Sequence, residues 1–114
     1  MMIYGISQSS GVERQLHFEL VREGIILLIS DLKDEVKRSR ILVNPESLLN
    51  AVMERTSGAI TIEGKSPSLG SKRFIDMEIR RNEVLLKLHS DAEKDCDVAV
   101  GLDDFQDALE KAIG

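Results

Sequence analysis

The stretch IEGKSPSLGSKR (residues 62–73) repeats the plan of IYGISQSSGVER (residues 3–14): Ile3 matches Ile62, Gly5 Gly64, Ser7 Ser66, Ser9 Ser68, Gly11 Gly70 and Arg14 Arg73. All six pairs share an offset of 59 residues, about half of the 114-residue chain. The same offset carries Leu16, Phe18 and Leu20 onto Ile75, Met77 and Ile79, two alternating runs of the kind that line the inward face of a strand. It then carries Ile25, Leu27 and Ile29 onto Val84, Leu86 and Leu88, with Glu23-Gly24 and Asn82-Glu83 as tight hairpin turns between the apolar runs.

Past the polar segments DLKDEVKR and SDAEKD the best offset falls to 57, which makes one connection two residues shorter, as surface loops allow. Short strands at Arg40–Val43 and Asp97–Val100 lead into amphipathic helices. Asn44 is a good N-cap with Pro45 at the first helical position, and Leu48, Leu49, Val52 and Met53 recur at helical spacing before Gly58. In the second copy Leu102, Phe105, Ala108, Leu109, Ala112 and Ile113 form the apolar stripe, while Asp103 and Asp104 favour the positive helix N-terminus. Each half therefore reads ββββα, with strands expected over 2–6, 14–22, 25–32, 39–43, 59–64, 72–81, 83–90 and 96–100. The expected fold class is α+β: one domain, 1–114, made of repeats 1–58 and 59–114 about a pseudo-twofold axis, its antiparallel sheets packed with two helices.

A chain of this length buries enough surface to need no staple. Hydrophobic residues make up 42% and charged residues 31%, ordinary for a globular fold. Cys96 is the single cysteine, the start lacks the basic and apolar regions of a signal peptide, and GIILLIS is too short to span a bilayer, so an intracellular, cytoplasmic protein without a membrane segment is expected. The net charge of −5 argues against indiscriminate nucleic-acid binding, yet it is confined to one end. From Asp91 onward eight acids face Lys94 and Lys111, so residues 1 to 90 hold 13 of the 15 bases and 12 of the 20 acids.

Two ββββα units, with the junctions RILVNPESLLNAVMER and VAVGLDDFQDALEKAI running from a strand into a helix, resemble the Whirly proteins; one unit resembles the protomer of the positive-cofactor-four coactivators. That resemblance implies non-catalytic binding of single-stranded DNA or RNA, in the manner of a transcription, replication or repair accessory factor. Such binding needs cations along the backbone path and flat groups for bases. Arg14 and Arg73 enter equivalent strands, Lys65 and Lys72 flank the second loop, and Arg22, Arg80 and Arg81 lie at hairpin ends. Phe74 alternates with the inward residues of its strand, so it faces outward, where it stacks on a base or meets a partner.

The two Ser/Gly loops read as tight turns or as phosphate cradles, and neither carries a dinucleotide or nucleoside-triphosphate motif. His17 and His89 occupy non-equivalent positions outside any ligand or acid–base spacing, and Cys96 reads as a small core residue. Asp91, Glu93, Asp95 and Asp97 alternate, but a calcium loop's turn glycine and bidentate Glu are missing. No catalytic constellation, cofactor or metal is expected. Ile26, Leu28 and Leu85 lie opposite the inward faces of their strands and need a second cover, either the other half's sheet or another subunit, and a homo-oligomer is the expectation. The rival function is an oligomeric protein-interaction or assembly module that binds no nucleic acid and docks a basic partner on its acidic C-terminal helix, at Asp103 and Asp107.

Overall fold

A computed structural model of the chain describes residues 2–34, 38–54, 58–91 and 95–114. The elements run β1 (Met2–Ile6), β2 (Glu13–Val21), β3 (Gly24–Asp31), β4 (Arg38–Val43), α1 (Pro45–Glu54), β5 (Ala59–Lys65), β6 (Lys72–Arg80), β7 (Glu83–His89), β8 (Cys96–Gly101) and α2 (Leu102–Ile113). Every strand pairs antiparallel with its neighbour in the chain, and β8 returns to β1, so the eight strands form one closed barrel. This corrects the expected fold class: strands hold 55% of the described residues, and they do not divide into sheets packed with two helices. Two separate four-stranded sheets would have left four open edges of unpaired backbone, and closure removes them.

Closure rests on two narrow seams. Leu42 pairs with Lys65 between β4 and β5, and Ile6 pairs with Ala99 between β1 and β8. The bridges are equivalent, since Leu42 corresponds to Ala99 at offset 57 and Ile6 to Lys65 at offset 59. A glycine adjoins each bridge. A Cβ on Gly64 would run into the Leu42 carbonyl oxygen, and one on Gly5 into that of Ala99, so only a residue without a side chain lets the strands meet.

The hairpin turns fall one residue earlier than expected. Val21 pairs with Gly24 and Arg80 with Glu83, which leaves Arg22-Glu23 and Arg81-Asn82 as the two-residue turns. Gly24 is spent on a close approach to the Val43 carbonyl, while Arg81 itself takes the left-handed conformation at φ 51°.

Leu16, Phe18, Leu27, Ile41, Ile75, Met77 and Leu86 fill the barrel, joined by Leu48 and Val52 of α1 and Phe105, Ala108 and Leu109 of α2. Phe18 meets Phe105 edge to face, with ring centroids 5.3 Å apart. Both helices leave the rim that carries the β2–β3 and β6–β7 turns; α2 packs on β1, β2, β7 and β8, and α1 on α2 and β5. The opposite rim carries the two Ser/Gly loops. Leu20, expected inside, lies at the end of its strand and is 50% exposed. No helix among the described residues is long and apolar enough to cross a membrane.

Candidate nucleic-acid interface

Strand parity decides where the matched arginines point. Arg14 shares the inward face with Leu16 and Phe18, and Arg73 with Ile75 and Met77, so both guanidinium groups enter the barrel. Arg73 is 1% exposed and donates through Nη1 to Ser39 Oγ at 2.7 Å and to the Arg40 carbonyl at 2.9 Å. Arg14 donates through Nε to Asp31 Oδ1 at 2.9 Å, and through Nη1 to the Asp97 carbonyl at 2.7 Å and its Oδ1 at 3.3 Å. Arg40 and Asp97 are equivalent positions, so each arginine crosses from its own repeat to the last strand of the other. The residue opposite Arg14 is Gly5 and that opposite Arg73 is Gly64, which leaves the path over the intervening strand open. These two residues tie the seams from inside and do not form the surface phosphate contacts expected of them. Burial of a charge demands such fixed partners.

The first Ser/Gly loop is organised around Asp97. Its carboxylate accepts from Ser7 Oγ at 2.7 Å, Ser9 Oγ at 2.6 Å, the Gln8 amide at 2.9 Å and the Ser9 amide at 3.2 Å. Burial works to raise the Asp97 pKa, but the hydrogen bonds from Ser9, Ser7 and the Gln8 amide outweigh it and hold the carboxyl below its ordinary range. Burial pushes the nearby Cys96 thiol up against the pull of Arg14, which leaves it a poor nucleophile. Glu93 lies outside the described residues.

Three expected cations do converge. Arg22, Lys65 and Lys72 line a groove of about 640 Å³ along the β4–β5 seam, together with Leu20, Leu42 and Glu63. Lys65 and Lys72 are directly paired across β5 and β6, and Lys72 Nζ stands 3.9 Å from Glu63 Oε1, a loose and exposed pair. Phe74 adjoins them on the outer face, opposite Glu63 and His89, and stacks on the His89 ring with centroids 5.5 Å apart and planes 24° from parallel. His89 Nε2 in turn lies 3.1 Å from Asp76 Oδ2, and Asp76 also accepts from Thr61 Oγ1 at 2.8 Å. Arg80 pairs with Glu78 at 2.9 Å, and Arg81 sits in the β6–β7 turn; neither joins the groove.

A second groove, of about 570 Å³, crosses the outer faces of β6, β7 and β8 over Leu85 and carries Asp76, Glu78, Asp95 and Asp97. Each of these acids has a cationic or histidine neighbour, since Lys87 Nζ stands 3.4 Å from Asp95. Ile26, Leu28 and Leu85 are half-buried on the outer face. More exposed is a row unnoticed in the sequence: Met2 (44%), Tyr4 (64%) and Ile6 (50%) along β1. Its signal was present, because β1 has apolar residues on both faces.

The chain matches no family model, no curated protein and no solved structure.

Proposed function

We propose that the protein binds single-stranded nucleic acid without catalysis, with the backbone lying in the β4–β5 groove and a base against Phe74. The observation that carries this reading is the convergence of Arg22, Lys65 and Lys72 on one groove, with the Phe74–His89 stack next to it through the pairing of Phe74 with the groove residue Glu63. Cations that follow a backbone beside flat rings are the two requirements of sequence-tolerant strand binding. The element order on which the resemblance to Whirly proteins was drawn is consistent with it. The acids of α2, Asp103, Asp104, Asp107 and Glu110, are exposed on a separate element and line no part of this groove.

Three phosphate contacts give a salt slope of about −2 for a single strand, so affinity falls about twentyfold between roughly 50 and 200 mM salt. Fluorescence anisotropy of labelled single-stranded DNA and RNA at those two salt concentrations tests this. In Lys65→Ala/Lys72→Ala the slope drops to about −0.7, one contact's worth. Absence of binding at low salt, or an unchanged slope in the double variant, defeats the reading.

A second reading, an oligomeric assembly module, is favoured by the exposed row of Met2, Tyr4 and Ile6, a surface that adjoins the β1–β8 seam.

A further inference from the structure

The first repeat shows what its Ser/Gly loop holds. Two backbone amides and two hydroxyls of residues 7–9 converge on the Asp97 carboxylate, so the loop is an anion cradle filled by the protein's own acid. The second repeat builds the same loop. Ser66 donates its amide to the Ser71 carbonyl at 2.8 Å, as Ser7 does to Val12 at 2.9 Å, and Gly70 donates to Ser66 at 2.9 Å, as Gly11 does to Ser7 at 2.8 Å. Gly70 and Gly11 share the left-handed conformation, at φ 72° and 75°. The difference lies in the residue at the position of Asp97. The counterpart of Asp97 is Arg40, which is fixed as its equivalent because its carbonyl takes the Arg73 bond that Asp97 takes from Arg14. Arg40 is half-buried and forms no ion pair among the described residues.

The geometry points to the β5–β6 loop and Arg40 as a phosphate subsite of the cationic groove, with Ser68 and the Arg40 guanidinium as its donors. A carboxylate-holding loop whose carboxylate has become a cation suits an anion brought from outside. Pro67 removes the amide that Gln8 supplies, and the guanidinium brings five N–H donors in its stead. Lys65 and Lys72 stand where the chain enters and leaves the loop, which makes the subsite continuous with the groove. That the oxyanion comes from a nucleic-acid backbone rests on the function proposed above.

The test has two arms, both on the 114-residue chain. In the first, isotope-labelled protein is titrated with inorganic phosphate at constant ionic strength. The Ser68 and Gly70 amides and the Arg40 side-chain N–H are expected to shift saturably, while Gln8 and Ser9, already on Asp97, stay in place. No shift at Ser68, or equal shifts at Gln8, overturns the subsite. In the second arm, Arg40→Gln is expected to weaken single-stranded DNA binding about tenfold with its melting temperature unchanged. Arg40→Asp, which reproduces the acid held by the first repeat's loop, is expected to abolish the phosphate shifts and raise the melting temperature. Wild-type affinity in Arg40→Gln overturns the subsite while leaving the groove standing. Phosphate shifts at Ser68 with no strand binding support the subsite and defeat the groove as a nucleic-acid site.

Discussion

Replacing Gly64 by alanine loads the seam on which closure of the barrel depends. The new methyl group would overlap the Leu42 carbonyl oxygen and stand 2.6 Å from Val43 Cγ1 and 2.9 Å from Ile41 Cγ1. Favourable carbon contacts lie at about 3.5–4.0 Å, so β4 and β5 must separate by about 1 Å. The obstruction includes backbone, which cannot rotate out of the way as a side chain can. The single bridge of this seam, Leu42 with Lys65, is one residue from the methyl group. Overpacking of this kind costs about 1–3 kcal/mol, and loss of the bridge adds about 1 kcal/mol. Alanine recovers less than about 1 kcal/mol by restricting the unfolded chain. The net expectation is about 3 kcal/mol, or a melting temperature lower by about 12 °C for a domain of this size. Gly70→Ala calibrates the result: its φ of 72° is strained for alanine, but nothing lies within 4 Å of the new methyl, so about 1–2 kcal/mol is expected. Circular dichroism melts of the two variants beside the wild type make the comparison. A Gly64→Ala protein that melts within about 2 °C of wild type would refute the claim that glycine is required where the repeats join.

The remaining predictions concern the Asp97 network and the β1 row. Asp97→Asn removes the negative charge from a carboxylate that holds four loop donors and Arg14, at a cost of about 2–3 kcal/mol in urea unfolding at neutral pH. Because the folded-state pKa of Asp97 is depressed, its contribution is fully present above the unfolded carboxyl value of about 3.9 and is lost as pH falls through the folded value. The wild type is therefore expected to lose stability more steeply than Asp97→Asn below about pH 4, and parallel curves would contradict the network. If the row of Met2, Tyr4 and Ile6 is an interface between copies, Tyr4→Lys/Ile6→Lys lowers the mass seen by light scattering to that of one chain; a wild type already of that mass excludes a homo-oligomer through this face.

Strand positions were legible in the sequence because alternation is a local signal: each observed strand end lies within one residue of its expected place. The closed barrel was not legible, because closure depends on single bridges between residues with no distinguishing chemistry, Leu42 with Lys65 and Ile6 with Ala99. Of the expected cations, Arg22, Lys65 and Lys72 share a groove, and nothing in the sequence singled out that set, since the stagger of the β4–β5 seam brings them together. The inward course of Arg14 and Arg73 was readable. Both keep the parity of the apolar residues that follow, and a charge on the core face signals a structural partner before it signals a ligand. The role of Asp97 was not legible, because the donors that hold it lie about 90 residues away in sequence.

Comparison of the repeats separates what the barrel requires from what is left to the surface. Gly5 and Gly64, Arg14 and Arg73, and Ser7 and Ser66 are identical pairs, and each member of every pair serves closure: the glycine admits the neighbouring strand, the arginine crosses it, and the serine anchors the turn beside it. The outward positions around the same seams differ in kind. Tyr4 corresponds to Glu63, Ile6 to Lys65, Glu13 to Lys72 and Asp97 to Arg40. Three of these four exchanges place a cation at the β4–β5 seam, Lys65 and Lys72 from the second repeat and Arg40 from the first. A pseudo-symmetric barrel thus presents two unlike seams: one apolar at Tyr4 and Ile6 and closed by an internal carboxylate, the other cationic. If the cationic seam is the site of the proposed strand binding, swapping the pair Ile6 and Lys65 between repeats moves the salt dependence of that binding with the lysine; a salt slope that stays unchanged after the swap rules the seam out.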